Sequence, residues 1–273
     1  MLPTLSFGWF ELHTYGLMWG LAVVAAGMYS FHRLVQGGSV PDEVVNGLGL
    51  ALLAGLAGML LLQSLALLLQ TALVDGAPQW IGRSSSVGAV LAGVGAGAWY
   101  TRRANARRGG AGVPLSRVLD LAALPLPLLW AIGRLGCIGA GCCAGSPTAG
   151  WLGFYLPDNH GDWQMRYPTQ ALSLLANLGI FLLLLAVERR GRGRLPAGET
   201  WPFNGFLFLL WIELFSLERF VQEFLRQDAL PLLGPLSLVH LVSAGMALAA
   251  AGLLLAGALL GRGRAALALS SGD

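Results

Sequence analysis

The chain of 273 residues is 55% hydrophobic and 11% charged, with a mean hydropathy of +0.65, which excludes a soluble domain of this length. All 17 basic residues are arginines, and the net charge of +3 reflects their clustering between apolar segments. The composition therefore predicts an integral membrane protein and gives no reason to expect a nucleic-acid partner. We expect an all-α, polytopic protein forming one membrane domain over residues 1–273.

Seven apolar segments are long enough to cross a bilayer as helices. They cover residues 14–35, 44–71, 85–101, 115–138, 168–188, 203–226 and 235–260. The first has neither the basic start nor the cleavage site of a signal peptide, so we expect it to stay in the membrane. Arginines cluster after the third, fifth and seventh segments, which places those ends in the cytoplasm and predicts an N-out, C-in bundle.

Two further features follow from this arrangement. The loop at 139–167 lies on the non-cytoplasmic side and is the only loop long enough to carry structure of its own. Within the third segment, Gly93 and Gly97 are four residues apart, which favours close packing against another helix.

Ionisable residues inside apolar segments mark candidate sites because they are costly in hydrocarbon unless they pair or line a wet cavity. Arg134 lies near the outer end of the fourth segment. In the sixth, Arg219, Glu223 and Arg226 fall on one helical stripe. One interpretation is a structural Arg219–Glu223 pair with Arg226 anchored at the interface. The other is an anion site, because three arginines face one glutamate, and phosphate is the obvious anion in a membrane.

His13 and Tyr15 stand at the same predicted outer boundary, at the start of the first segment. Taken alone, these residues are explained by an interfacial aromatic belt with an incidental histidine.

All three cysteines lie in the stretch GRLGCIGAGCCAG at residues 133–145. Cys137, Cys142 and Cys143 are open to three interpretations: small packing residues, a disulfide or redox pair, or a metal site. Their spacing is not one of the usual zinc spacings, and His160 is the only histidine in the loop. We therefore assign no metal site from the sequence.

Four short motifs occur together on the predicted outer side: HTYGLMWG near the N-terminus, GRLGC after the fourth segment, RYPTQ before the fifth and R-x-x-x-E-x-x-R in the sixth. With these motifs the chain resembles the prolipoprotein diacylglyceryl transferase family over nearly its whole length. The resemblance implies a multi-pass protein of the bacterial cytoplasmic (inner) membrane. It would transfer a diacylglyceryl group from phosphatidylglycerol to the lipobox cysteine in the signal peptide of a prolipoprotein. No cofactor is implied.

The resemblance also implies roles for individual residues. A catalytic group comprises His13 as the base for the thiol, Tyr15, Arg134 and Arg219 at the phosphate, and Glu223 holding Arg219. The residues expected to bind phospholipid are Arg134, Gly136, Gly141, Gly145, Arg166, Gln170 and Arg226.

The chain departs from the family pattern at several polar positions. Cys137, Ala140 and Cys142 stand where Asn, Asn and Glu are expected, Leu172 and Ser173 replace Tyr and Glu, and Phe215 replaces an aromatic hydroxyl. An alternative function is therefore a divergent paralogue with a thiol redox or metal site at Cys137, Cys142 and Cys143. Within the transferase interpretation, we expect a Cys137–Cys142 disulfide that ties the loop and leaves Cys143 free.

Overall fold

The predicted helical membrane architecture is confirmed. The computed structural model describes residues 4–7, 10–36, 42–73, 86–109, 114–158, 161–191 and 202–270. The helices are α1 (Thr14–Gln36), α2 (Asp42–Leu73), α3 (Ser86–Arg107), α4 (Leu115–Ala123), α5 (Pro125–Ala140), α6 (Thr169–Gly191), α7 (Phe206–Leu225) and α8 (Leu238–Ser270). Each of the seven predicted segments is helical.

Five helical stretches among the described residues are long and apolar enough to span a membrane: Thr14–Arg33, Val44–Leu62, Leu115–Ala140, Thr169–Gly191 and Leu238–Leu260. Large apolar side chains cover the outer faces of these helices, for example Met28, Leu61 and Leu248, which are 68%, 69% and 75% exposed. Such exposure indicates contact with lipid, because in water it would be an extended apolar surface. The number of spans and the N-out, C-in orientation stay predictions.

The fourth segment differs from its prediction because it is two helices and not one. Helix α4 ends at Ala123 and α5 begins at Pro125, which occupies the first position of the new helix. A proline has no backbone N–H and disrupts a continuous helix, so the residues around Leu124 form a break.

Asp120 in α4 stabilises the start of α7. Its carboxylate accepts hydrogen bonds from the backbone N–H groups of Gly205, at 2.6 Å, and Phe208, at 3.1 Å. Helix N-termini leave such donors unsatisfied, so this buried carboxylate serves as a cap supplied by another helix.

Three antiparallel hairpins lie between the helices. They are β1 (Thr4–Phe7) with β2 (Phe10–His13), β3 (Phe154–Pro157) with β4 (Trp163–Arg166), and β5 (Pro231–Leu233) with β6 (Leu236–Ser237). The second confirms that the 139–167 loop carries structure. The other two hairpins, which lie immediately before α1 and α8, were not predicted from the sequence.

Small residues set the helix packing. A Cβ atom added to Gly93 would lie 2.9 Å from the carbonyl oxygen of Ala51, and one added to Gly97 would lie 3.2 Å from the Cβ of Ala51. The predicted packing role of this glycine pair in α3 is therefore confirmed, with α2 as the partner.

A second glycine seam joins α5 to α1. A Cβ atom at Gly136 would lie 2.9 Å from the Cβ of Met18 and 3.2 Å from the carbonyl oxygen of Tyr15. One at Gly139 would lie 2.6 Å from the methyl group of Thr14. This contact brings the first turn of α1, and with it the end of β2, beside the last turn of α5.

Candidate active site

Arg134 is a buried cation in α5, with 8% of the residue exposed. Its Nε donates to the Ser173 hydroxyl at 2.9 Å, and that hydroxyl donates to Oε1 of Glu218 at 2.6 Å. Arg134 forms no direct ion pair with any carboxylate in the described part of the chain. A buried guanidinium without an adjoining carboxylate is poised to take an anion.

Arg219 is held rigidly in α7. Its NH2 pairs with Oε2 of Glu223 at 3.0 Å and its NH1 donates to Gln222 at 3.3 Å, so the predicted pairing of Arg219 with Glu223 is confirmed. The Nε of Arg219 is buried and has no hydrogen-bond partner among the described residues. Such an unsatisfied donor is costly, and a bound anion would satisfy it.

Glu223 is itself anchored from the end of β6, next to the start of α8. The Ser237 hydroxyl donates to Glu223 Oε1 at 3.1 Å, and the Nδ1 of His240 accepts the backbone N–H of Ser237 at 2.9 Å. Gln222 donates to the carbonyl of Thr169 at 2.6 Å, which ties α7 to the start of α6. The Arg219 guanidinium is therefore oriented by groups from three helices.

The two other arginines expected to contact phospholipid already hold carboxylates. Arg226 makes a two-pronged pair with Asp228 at 2.8 and 2.7 Å, and the fully buried Arg166 pairs with Asp158 at 2.9 Å. Arg166 also donates to Gln227. The Arg166–Gln227 contact and the backbone hydrogen bonds from Ser146 to Leu225 and from Gln227 to Ala144 fasten the 139–167 loop to the end of α7. The positive charge expected from the arginines is thus concentrated at Arg134.

The glycines and the glutamine expected to bind phospholipid have structural contacts. Gly136 lies in the seam with α1, and Gly141 ends α5 with φ +73°. A Cβ atom at Gly145 would collide with the carbonyl oxygen of Tyr167. Gln170 donates to the carbonyl of Cys142 at 2.9 Å. These structural contacts are sufficient to explain why these four residue types occur at these positions. Their contact with a lipid headgroup stays a prediction.

His13 and Tyr15 lie at the same end of the bundle as the last turn of α5. His13 is exposed and pairs with Thr4 in the first hairpin. Tyr15 is half-buried against the Gly136 seam, and its ring centroid is 6.3 Å from that of Trp19. The chain segments carrying the expected base and the expected cations therefore converge at one end.

The three cysteines come together at this end, and all are free thiols. The expected Cys137–Cys142 disulfide is therefore not present. Hydrogen bonds from Cys137 and Cys142, aided by the charges of Arg226 and Arg134, lower the pKa of the Cys143 thiol. The Cys142 thiol is the donor in its hydrogen bonding with Cys137 and then Cys143, which favours its protonated form and raises its pKa.

Several polar residues of the site were given no role from the sequence: Ser173, Gln222, Ser237 and His240 at buried positions and Glu218 at a half-buried one. Helical spacing offered one signal. Glu218 and Gln222 are four residues apart and flank Arg219 on the polar face of α7, whereas Ser173 and His240 stand alone in apolar runs.

Comparison with known proteins identifies the family. The sequence pattern of the prolipoprotein diacylglyceryl transferase family matches residues 3–256. The chain belongs to this family. Its fold is therefore that of a multi-pass membrane transferase, as the resemblance predicted. The comparisons do not support the alternative of a different, thiol-based activity on the same scaffold.

Three relatives illustrate the similarity. The phosphatidylglycerol–prolipoprotein diacylglyceryl transferase 2 of Clostridium perfringens is 28% identical over 85% of this chain and 86% of its own length. The enzyme of Thermosynechococcus vestitus is 30% identical over 88% and 86%, and that of Dehalococcoides mccartyi is 28% identical over 81% and 80%. The similarity to this prolipoprotein diacylglyceryl transferase family thus extends over most of each protein.

Proposed function

We propose that the chain transfers the diacylglyceryl group of phosphatidylglycerol to the thiol of the lipobox cysteine in a prolipoprotein signal peptide. The sulfur forms a bond to the terminal carbon of the diacylglyceryl group, and the bond from that carbon to the phosphate oxygen breaks. The products are a thioether and glycerol phosphate. The thiol proton leaves to a base, so atoms and charge balance without a redox partner or cofactor.

The charge change explains why arginines are needed. Phosphatidylglycerol carries one negative charge on its phosphodiester, and the departing glycerol phosphate is a monoester that gains a second. Fixed cations stabilise a transition state in which this charge develops, and they do so most effectively in a site that excludes water.

Arg134 carries the proposal, because it is the buried cation without a direct carboxylate partner among the described residues. Arg219 lies within electrostatic reach of it and offers a buried, unpartnered Nε. Glu223 keeps Arg219 oriented without filling all of its donors. We infer that the phosphate binds between the two guanidinium groups in a cavity that opens toward lipid.

We assign the remaining roles to residues at the same end of the bundle. His13 accepts the thiol proton, either directly or through water, and Tyr15 contacts phosphate or glycerol oxygens. In this proposal, further lipid contacts come from the 139–167 loop and from residues of the neighbouring helices that contact it. These residues are Gly136, Gly141, Gly145, Arg166, Gln170 and Arg226. Arg166 and Arg226 act there mainly by holding the loop, because both already carry a carboxylate.

The site lies on the non-cytoplasmic side of the bacterial inner membrane in this proposal, where secreted prolipoproteins present their lipobox. The arginine clusters at the opposite ends of the helices support this orientation. Accessibility labelling of single cysteines introduced at Asn105 and Gly150, in a background without native cysteines, tests the orientation. We expect the two to react from opposite sides of the membrane, and reaction from the same side contradicts the topology.

Complementation tests the proposed function in cells. A bacterium depleted of its own transferase should grow and process prolipoproteins when this chain is expressed, and should fail with Arg134→Ala at equal protein level. The control Asp162→Asn changes an exposed carboxylate of the second hairpin and should restore growth. Equal rescue by Arg134→Ala and the unchanged chain would remove Arg134 from the mechanism.

A further inference from the structure

The loop after α5 gathers the three cysteines into one cluster. Each thiol sulfur of Cys137, Cys142 and Cys143 lies within 4.8 Å of the other two. Cys137 is in the last turn of α5 and is 3% exposed, and the other two are half-buried. Among the residues that the structure describes, this is the one group of three potential metal ligands close enough to share an ion.

The loop is held in the conformation that brings the sulfurs together. The Thr169 hydroxyl donates to the carbonyl of Cys143 at 2.7 Å, and the Gln170 amide donates to that of Cys142 at 2.9 Å. Cys143 has φ +62°, a left-handed conformation that side chains other than glycine rarely adopt. The start of α6 therefore fixes both loop cysteines against α5, so little ordering is needed for them to act together.

The separation of the sulfurs suits a thiophilic ion. Three sulfurs at about 2.3 Å from one ion are separated by about 4 Å in a trigonal arrangement. Closing the cluster from at most 4.8 Å needs movements of less than about 1 Å. A disulfide needs a sulfur separation near 2.05 Å and leaves the third thiol unused.

The surrounding charge favours a bound cation with three thiolates. The NH1 of Arg134 lies 4.0 Å from the sulfur of Cys137. Zn²⁺ with three thiolates has a net charge of −1, which this arginine balances, and Cu⁺ with three thiolates has −2. Arg226, although paired with Asp228, also interacts electrostatically with Cys143.

We propose that Cys137, Cys142 and Cys143 form a binding site for one thiophilic cation of the Cu⁺ or Zn²⁺ class. Three metal–sulfur bonds form, and three thiol protons are released to solvent. The site is additional to the transferase activity, and the argument for it does not use that activity. Binding is measured directly, so its failure and that of the proposed function are distinguishable.

Metal titration of the purified full chain tests the proposal. The protein in detergent is reduced, freed of metal and reductant, and titrated with Zn²⁺ or, without oxygen, with Cu⁺ supplied as a coloured chelator complex. We expect about one equivalent of at least one ion per chain, and at least a tenfold loss of affinity in Cys143→Ala. Asp162→Asn is the matched control for binding to exposed carboxylates and should bind normally.

Thiol alkylation keeps the test valid where a variant does not fold. Mass spectrometry of the unsubstituted protein should count three alkylated cysteines without metal and fewer with the bound ion. Binding of neither ion by protein with three reactive thiols overturns the proposal. The proposal is also overturned if folded Cys143→Ala binds the metal as tightly as the unsubstituted chain does. It is overturned as well if the reduced, metal-free protein has a single reactive thiol. The two metal arms decide which ion the site prefers.

Discussion

Replacing Glu223 by alanine should destabilise the protein strongly. The Glu223 side chain is 7% exposed and the Arg219 side chain 3%, and their ion pair is 3.0 Å long. Removing the carboxylate leaves the guanidinium buried without its counter-charge, and the Ser237 hydroxyl loses its acceptor. Breaking a buried pair on one side costs about 3–5 kcal/mol. For a chain of this size the midpoint of thermal unfolding should fall by about 10 °C.

A double substitution separates stability from catalysis in this experiment. Arg219→Met combined with Glu223→Leu removes both charges, and replacing a buried pair by apolar groups is often neutral for stability. We expect the double variant to unfold near the unsubstituted protein in a detergent thermal-shift assay, yet to have no transferase activity. Unchanged stability in Glu223→Ala, or a double variant no more stable than that single one, would refute the reasoning.

Three further predictions concern other parts of the site. Arg134→Lys should lower the initial rate of transfer about 100-fold or more, because lysine cannot bind phosphate with two parallel hydrogen bonds; kinetics with labelled phosphatidylglycerol check this. Asp120→Ala should lower the free energy of unfolding by about 1–3 kcal/mol, because the start of α7 loses its cap; thermal unfolding measures it. At neutral pH, iodoacetamide should modify Cys143 before Cys142. Hydrogen bonds donated by Cys137 and Cys142 lower the pKa of Cys143, whereas Cys142 donates to Cys137 and Cys143, which raises its own pKa. Peptide mass spectrometry gives the order, and Cys143 should slow only as the pH falls below its lowered pKa.

The helical framework was predictable because each segment's apolar length is a local property. The four-residue spacing of Arg219 and Glu223, about one helical turn, likewise predicted their ion pair. The break near Leu124 was signalled by Pro125, but apolar length alone concealed it. The short hairpins before α1 and α8 were missed because two to four residues carry too little periodicity to be distinguished from a turn.

Partners outside the helical segments, or distant in sequence, account for the rest of what the sequence did not predict. Arg166 and Arg226 are expected to bind phospholipid, which stays a prediction, but their pairs with Asp158 and Asp228 were not predicted. A count of charges along the helices omits these carboxylates, which lie in loops eight and two residues from their arginines. The cysteine cluster depends on contacts between residues that are distant in sequence. Its spacing matches no common metal motif, and it forms because Thr169 and Gln170 fold the loop back onto α5.

Mass analysis of a lipobox peptide tests the central claim most directly. The purified chain is reconstituted in vesicles containing phosphatidylglycerol and incubated with a peptide that bears one lipobox cysteine, with the Cys→Ser peptide as control. The account predicts a mass increase of one diacylglyceryl group on the cysteine as a base-stable thioether, with one glycerol phosphate released per peptide. An unmodified peptide, under conditions where the related enzyme of Thermosynechococcus vestitus modifies it, would contradict the account.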